Sequence, residues 1–139
     1  MIPIEEALEG STPLARKVAA MGPASTRQEL VARMREVIPT LTDEEKIATL
    51  NAHPRIGEDP ARLSTRSLAE QGRDSRPELA RLNAEYEQRY GFRFVVFVNG
   101  RPKSDIVEVL QQRLRGTREE EIGTGLRAVV DIAEDRLRK

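Results

Sequence analysis

The chain has 139 residues, 38% of them hydrophobic and 33% charged, with 23 basic and 23 acidic side chains. That length suits one domain with an apolar core of its own, and charge this balanced and dispersed argues against disorder and against a basic surface for nucleic acid. With no cysteine in the sequence, disulfides, thiolate nucleophiles and cysteine-ligated metals are excluded.

In chain order the sequence reads as a series of capped helices. Thr12 ahead of Pro13 opens the first, with proline at the position where its missing N–H is not needed. Leu14 and Val18 follow, and the helix stops near Gly22. Thr26 with Glu29, and Thr42 with Glu45, have capping-box spacing. The first pair leads into Leu30, Val31, Met34, Val37 and Ile38 at helical intervals, ended by Pro39. The second leads into Ile47 and Leu50, and that helix must stop before Pro54, because proline disfavours the α conformation of the residue preceding it.

Residues 54–64 hold two prolines and a glycine and read as loop. Residues 64–71 read as a short helix and 72–75 as a turn. Ser75 with Glu78 and Pro77 opens a long helix whose stripe is Leu79, Leu82, Tyr86 and Tyr90, with Gly91 closing it. Residues 92–98, Phe-Arg-Phe-Val-Val-Phe-Val, are the one strand-like run. No other segment offers a partner strand, so a buried extended segment is expected. Asn99-Gly100 turns the chain. Ser104 is the expected cap of a helix with Ile106, Val109, Leu110 and Leu114. Thr117 with Glu120 caps a last helix carrying Ile122, Leu126, Val129, Val130, Ala133 and Leu137. The expected fold is all-α: one helical-bundle domain over residues 1–139 with one short extended segment at about 92–98.

Most enzyme signatures are absent. There is no glycine-rich phosphate loop and no His-Glu-x-x-His pair, and one histidine cannot build a histidine-based zinc site. His53, the only histidine, stands at a helix end in His53-Pro54-Arg55-Ile56-Gly57-Glu58. It can project into a cleft and exchange protons near neutral pH, or it can satisfy the last carbonyls of its helix. Ser67, Glu70 and Gln71 share one helical face, presenting a hydroxyl, a carboxylate and an amide to a polar ligand. Ser67 and Glu70 equally fit a capping box. Arg136 lies over the apolar stripe of the last helix, where it either snorkels to water or aims its guanidinium into a pocket.

Those pieces occur in a fixed order: His53-Pro54-Arg55-Ile56-Gly57-Glu58, Ser67-x-x-Glu70-Gln71, Leu82-Asn83-x-x-Tyr86, and Tyr90-Gly91-Phe92-x-Phe94-Val95. Leu8-Glu9-Gly10-Ser11 precedes them, and Gly116 with Glu119-Glu120-Glu121, then Ile132 with Arg136-Leu137, follows. The pattern resembles the 2-oxo-4-hydroxy-4-carboxy-5-ureidoimidazoline (OHCU) decarboxylase family over nearly the whole chain. The resemblance implies an all-helical, homodimeric enzyme without cofactor or metal that forms (S)-allantoin from an intermediate of urate breakdown, with release of carbon dioxide. It implies that His53 and Glu70 are catalytic and form a hydrogen-bonded proton-handling pair. Ser67, Gln71 and Arg136 would bind the substrate, with Pro54, Phe92, Phe94, Val95 and Val96 around it. The sequence departs from the family at Ser11-Thr12-Pro13-Leu14, where a tryptophan commonly follows the proline.

No apolar run approaches the ~20 residues of a bilayer span, and residues 1–8 hold two glutamates and no basic segment. A cytoplasmic protein with a small ureide as its partner, and neither nucleic acid nor membrane, is expected. Two other readings fit the residues alone: a related cofactor-free lyase or isomerase acting on another ureide or oxo-acid, and a helical binding module without turnover.

Overall fold

The computed structural model describes residues 1–57, 64–71 and 77–139, except the side chain of Gln71. Among the described residues there are eight α-helices, one 3-10 turn and no strand. The helices are α1 (Ile4–Ala7), α2 (Pro13–Ala19), α3 (Arg27–Val37), α4 (Asp43–Asn51), α5 (Thr65–Gln71), α6 (Pro77–Tyr90), α7 (Lys103–Arg113) and α8 (Arg118–Arg138). The fold is thus all-α with an extended run at 92–98, as the sequence predicts. Glu58, the expected turn at 72–75 and the Ser75 cap lie outside the described residues.

Local side-chain chemistry sets most helix starts. Thr12, Thr26, Thr42 and Thr117 each accept a hydrogen bond from the N–H three residues on, satisfying one of the donors a helix start leaves over. At Thr42 and Thr117 the glutamate reaches back to close a full capping box. At Thr26 it does not: the Glu29 carboxylate accepts from Ser25 N–H, one residue earlier, and from Arg33. Two other expectations fail. Ser104 does not cap α7, which starts one residue earlier after Pro102. Ser67 is no cap either. Ser64 takes that role by accepting from Ser67 N–H, which leaves the Ser67 side chain free to point inward from the helix.

The core gathers around α8, which packs on α1, α3 and α4, while α2 packs on α1, α3 and α4, and α6 on α7. Every predicted apolar position of α8 is buried. Close approach of α4 depends on Gly125: a Cβ there would lie 2.8 Å from Leu50 Cδ2. The single turn α1 was not legible in the sequence; its Ala7 and the following Leu8 are fully buried.

An extended segment without a sheet must satisfy its backbone elsewhere. Here arginines and one asparagine do it. Asn51 Oδ1 accepts from Arg93 N–H, and the Arg93 guanidinium donates back to the carbonyls of Asn51 and His53. Arg113 donates to the Val95 carbonyl at 2.7 Å and to Glu121 at 2.7 Å, and the Tyr86 hydroxyl donates to the same Glu121. Arg101 closes the Asn99-Gly100 turn by donating to the Phe97 and Val98 carbonyls.

Two glycines of α8 should respond oppositely to alanine. Gly123→Ala, with only Arg127 Nη1 nearby at 3.6 Å, should stabilise by up to about 1 kcal/mol through helix propensity. Gly125→Ala should destabilise by about 1–3 kcal/mol through overpacking against Leu50. Urea unfolding of both variants checks the order, and a Gly125→Ala protein more stable than the parent would refute it.

Candidate active site

His53 follows the last turn of α4, and its backbone N–H donates to Leu50 O. The next residues are held firmly. Arg55 forms a bidentate pair with Glu87 on α6, Asn83 donates to Ile56 O at 2.7 Å, and Ile56 is buried. Gly57 has φ 78° and lies against Leu79, a conformation that penalises any side chain. This explains why His-Pro-Arg-Ile-Gly and the α6 Asn and Glu occur together: they fix the backbone that carries the imidazole.

The imidazole is 3% exposed, and neither ring nitrogen has a hydrogen-bond partner among the described residues. At the end of α4 the carbonyls of Asn51 and of His53 itself are taken by Arg93, while the Thr49 carbonyl of the last turn is left to the imidazole. Burial pulls the His53 pKa down to about 4; Glu9 opposes this, Arg136 reinforces it, and the Thr49 carbonyl opposes it. His53 is therefore neutral near pH 7, with no side chain bonded to its ring, at the wall of a cavity.

That cavity has a volume of about 240 Å³, a size for a small molecule rather than a polymer. Four parts of the chain line it: His53, Pro54 and Ile56 after α4; Ser67 and Glu70 of α5; Phe94, Val95 and Val96 of the extended segment; and Ile132, Asp135 and Arg136 of α8 with Lys139 just beyond it. His53, Pro54, Ser67, Glu70, Phe94, Val95, Val96 and Arg136 thus share one hollow. Phe92 does not line it. Its ring packs on Tyr86 and Tyr90 at centroid distances of 5.8 and 6.0 Å, under Arg118. The Gln71 side chain lies outside the described residues. Among those described, no group of three His, Cys, Asp or Glu side chains could hold a metal ion.

Arg136 is only 1% exposed, so it does not snorkel. Its Nε and Nη2 donate to the two oxygens of Glu70, each at 2.9 Å. Nη1 donates to Glu9 at 2.6 Å and to the Glu6 carbonyl at 3.1 Å, and Nη2 also donates to Ser67 Oγ at 3.3 Å. A guanidinium has five N–H groups, and all five have acceptors. Burial lowers the pKa of Arg136, but Glu70 and Glu9 outweigh it and raise the balance.

This corrects the expected pairing. Both Glu70 oxygens are held by Arg136, and His53 Nδ1 and Nε2 make no hydrogen bond to them. The Ser67 hydroxyl is committed as well, donating to Glu9 at 3.0 Å. The residue that sequence reasoning missed is Glu9. It sits after α1 with φ 64°, a conformation costing a non-glycine residue roughly 1–2 kcal/mol. Gly10 then closes the turn by donating to Glu5 O, which aims the Glu9 side chain inward. Burial pushes the Glu9 carboxyl up, but hydrogen bonds from Ser64, Arg136 and Ser67 outweigh it and hold it below its ordinary value.

The family model for OHCU decarboxylase matches residues 3–138. The chain belongs to the OHCU decarboxylase family. Among its relatives is the uric acid degradation bifunctional protein PucL of Bacillus subtilis, 31% identical over 137 residues, covering 93% of this chain. A second is the uric acid degradation bifunctional protein of Bacillus sp. strain TB-90, 28% identical over 139 residues. This chain spans 28% of the length of each. The 2-oxo-4-hydroxy-4-carboxy-5-ureidoimidazoline decarboxylase of Haloferax volcanii is 29% identical, and 83% of it is covered. The fold matches the crystal structure of an OHCU decarboxylase determined in the presence of (S)-allantoin, with a TM-score of 0.76 at 24% identity, covering 91% of this chain and 89% of that one.

Removing the clamp's cation should be costly. Glu9 is held below its ordinary pKa of 4.5, so its pairing stabilises the fold above that pH and fades as the pH falls through the lowered value. Arg136→Met should lose about 3–5 kcal/mol near neutral pH, because two partly buried carboxylates are left uncompensated. The gap should narrow as the pH falls below 4.5 and Glu9 protonates. Urea unfolding in both pH ranges measures this, and a loss below about 1 kcal/mol near neutral pH would contradict the clamp.

Proposed function

We propose that this chain is a cofactor-free carboxy-lyase that converts OHCU to (S)-allantoin in urate breakdown, the whole of residues 1–139 forming one decarboxylase domain. The observation that carries the reading is a buried, unpartnered imidazole at the wall of a small cavity, in a chain of this family. A cytoplasmic homodimer with a small ureide as its ligand goes with it.

The chemistry needs little from the protein beyond position and charge control. When the C–C bond to the carboxylate breaks, carbon dioxide leaves and the electron pair passes into the conjugated C=N and carbonyl groups of the ring. The substrate is its own electron sink, so no pyridoxal or thiamine is called for. The ring carbon then takes one proton on one face, which sets the S configuration. His53, neutral and free to bond, would meet the hydroxyl and carboxylate end of the substrate and handle protons there. Glu70, with both oxygens on Arg136, would fix that guanidinium rather than the imidazole. The resulting dipole array is preorganised, so it needs no rearrangement as charge develops. Pro54, Phe94, Val95 and Val96 would hold the ring, and Gln71 would help to bind the substrate.

The test is turnover of OHCU made freshly from urate, followed by the optical activity of the allantoin, since the spontaneous reaction gives a racemate. The parent should give the S enantiomer in excess. His53→Ala should lose at least about 100-fold in kcat/KM with its circular dichroism intact. A racemic product from the parent, or parental rates from His53→Ala, would overturn the reading.

A further inference from the structure

Two carboxylates share one guanidinium: Glu9 and Glu70 both bond to Arg136. The clamp therefore carries one net negative charge. Among the described residues, no unpaired cation lines the cavity to offset it. Asp135 of α8 and Lys139 just after it line the cavity but pair with each other at 2.9 Å. Arg93, within the extended segment, keeps its charge but does not line the cavity, and its guanidinium is bonded to the carbonyls of Asn51 and His53. Arg66 of α5 pairs with Glu6. A carboxylate entering the cavity thus meets an anionic cluster whose guanidinium has no N–H to spare, and like charges in a poorly hydrated site disfavour each other strongly. Among the described residues at that wall, the group able to change its charge without breaking a bond to protein is the imidazole, which no side chain holds.

We propose that the cavity binds an anionic ureide together with one proton, taken up by His53, and that Glu9 is the positioning residue that enforces this by keeping Arg136 occupied and the clamp anionic. The inference rests on the functional reading above, which makes the ligand a ureide bearing a carboxylate. Glu9 does not itself line the cavity; it acts through Arg136 and Ser67. The proton comes from solvent and ends on the imidazole, whose new charge offsets the incoming carboxylate. The balance then closes over the reaction. Loss of carbon dioxide from a carboxylate consumes one proton at the ring carbon, which is the number taken up on binding. Allantoin is neutral, so it leaves a site returned to its starting charge.

The test uses the intact protein and two stable ligands: hydantoin-5-acetate, a ring ureide with a carboxylate, and neutral (S)-allantoin. One proton taken up on binding means that Kd rises about tenfold per pH unit. Between about pH 5 and 7, where free His53 is deprotonated, Kd for hydantoin-5-acetate should rise by that factor, while Kd for allantoin stays flat. Calorimetry in buffers of different ionisation enthalpy should count about one proton for the first ligand and none for the second. Glu9→Gln keeps an acceptor for Arg136 but removes the charge, so it should flatten the hydantoin-5-acetate slope. A flat slope in the parent, absence of hydantoin-5-acetate binding near pH 5, or an unchanged slope in Glu9→Gln would each overturn the proposal. Should Glu9→Gln not fold, the contrast between the two ligands in the parent decides alone. If the parent fails to turn over OHCU but keeps the slope, the functional reading falls and the proton coupling stands.

Discussion

A fully buried arginine must have every N–H satisfied, because an unpaired charge in the interior is far costlier than a paired one. Arg136 meets that demand by drawing on Glu6 and Glu9 from one end of the chain and Ser67 and Glu70 from the middle. This requirement brings α1, α5 and α8 together at one corner of the bundle. It also decides the chemistry of the cavity. Because Glu70 is spent on Arg136, the imidazole has no carboxylate partner, and burial keeps it neutral.

The opposite wall solves a different problem. Residues 92–98 are extended in a protein whose described residues form no sheet, so arginine side chains take the place of a neighbouring strand. Arg93 ties the segment to the end of α4, next to His53, and Arg113 ties it to α8 through Glu121. Burial first, and then the Glu121 carboxylate, hold the Tyr86 phenol above its usual pKa against the pull of Arg113. The neutral hydroxyl is thereby kept as a donor to Glu121. The wall and the imidazole are thus set by the same arginine contacts, and the position of one constrains the other.

What was legible in the sequence was local. A threonine followed three residues later by glutamate announces a helix start because the bond it makes spans one turn, and three-residue and four-residue spacings reveal the buried face of α6 and α8 for the same reason. The cap of α7 was misplaced because the helix starts after Pro102, which offers no side-chain oxygen for a capping pattern to reveal. The set His53, Ser67, Glu70 and Arg136 was legible through the resemblance of whole motifs, not through any one of them. The pairing within that set was not. Whether Glu70 bonds to His53 or Arg136 depends on contacts between residues 66 positions apart, and spacing says nothing about those. Glu9 was illegible for a related reason: a glutamate in the left-handed region after a single helical turn leaves no periodic trace. Phe92 and Phe94 share parity in the segment, and both rings pack on Tyr86, at 5.8 and 5.4 Å, but only Phe94 also reaches the cavity, a difference that alternation alone does not show.

The central claim is that the arginine clamp leaves a neutral imidazole facing the cavity. Since the chain has one histidine, its ring signals in a nitrogen-15 NMR titration of the ligand-free protein need no assignment by mutagenesis. The account predicts a neutral ring throughout the range near pH 7, with a midpoint at about 4. A midpoint at or above the ordinary value of about 6.5 would mean that a carboxylate holds the imidazole after all, and would contradict it.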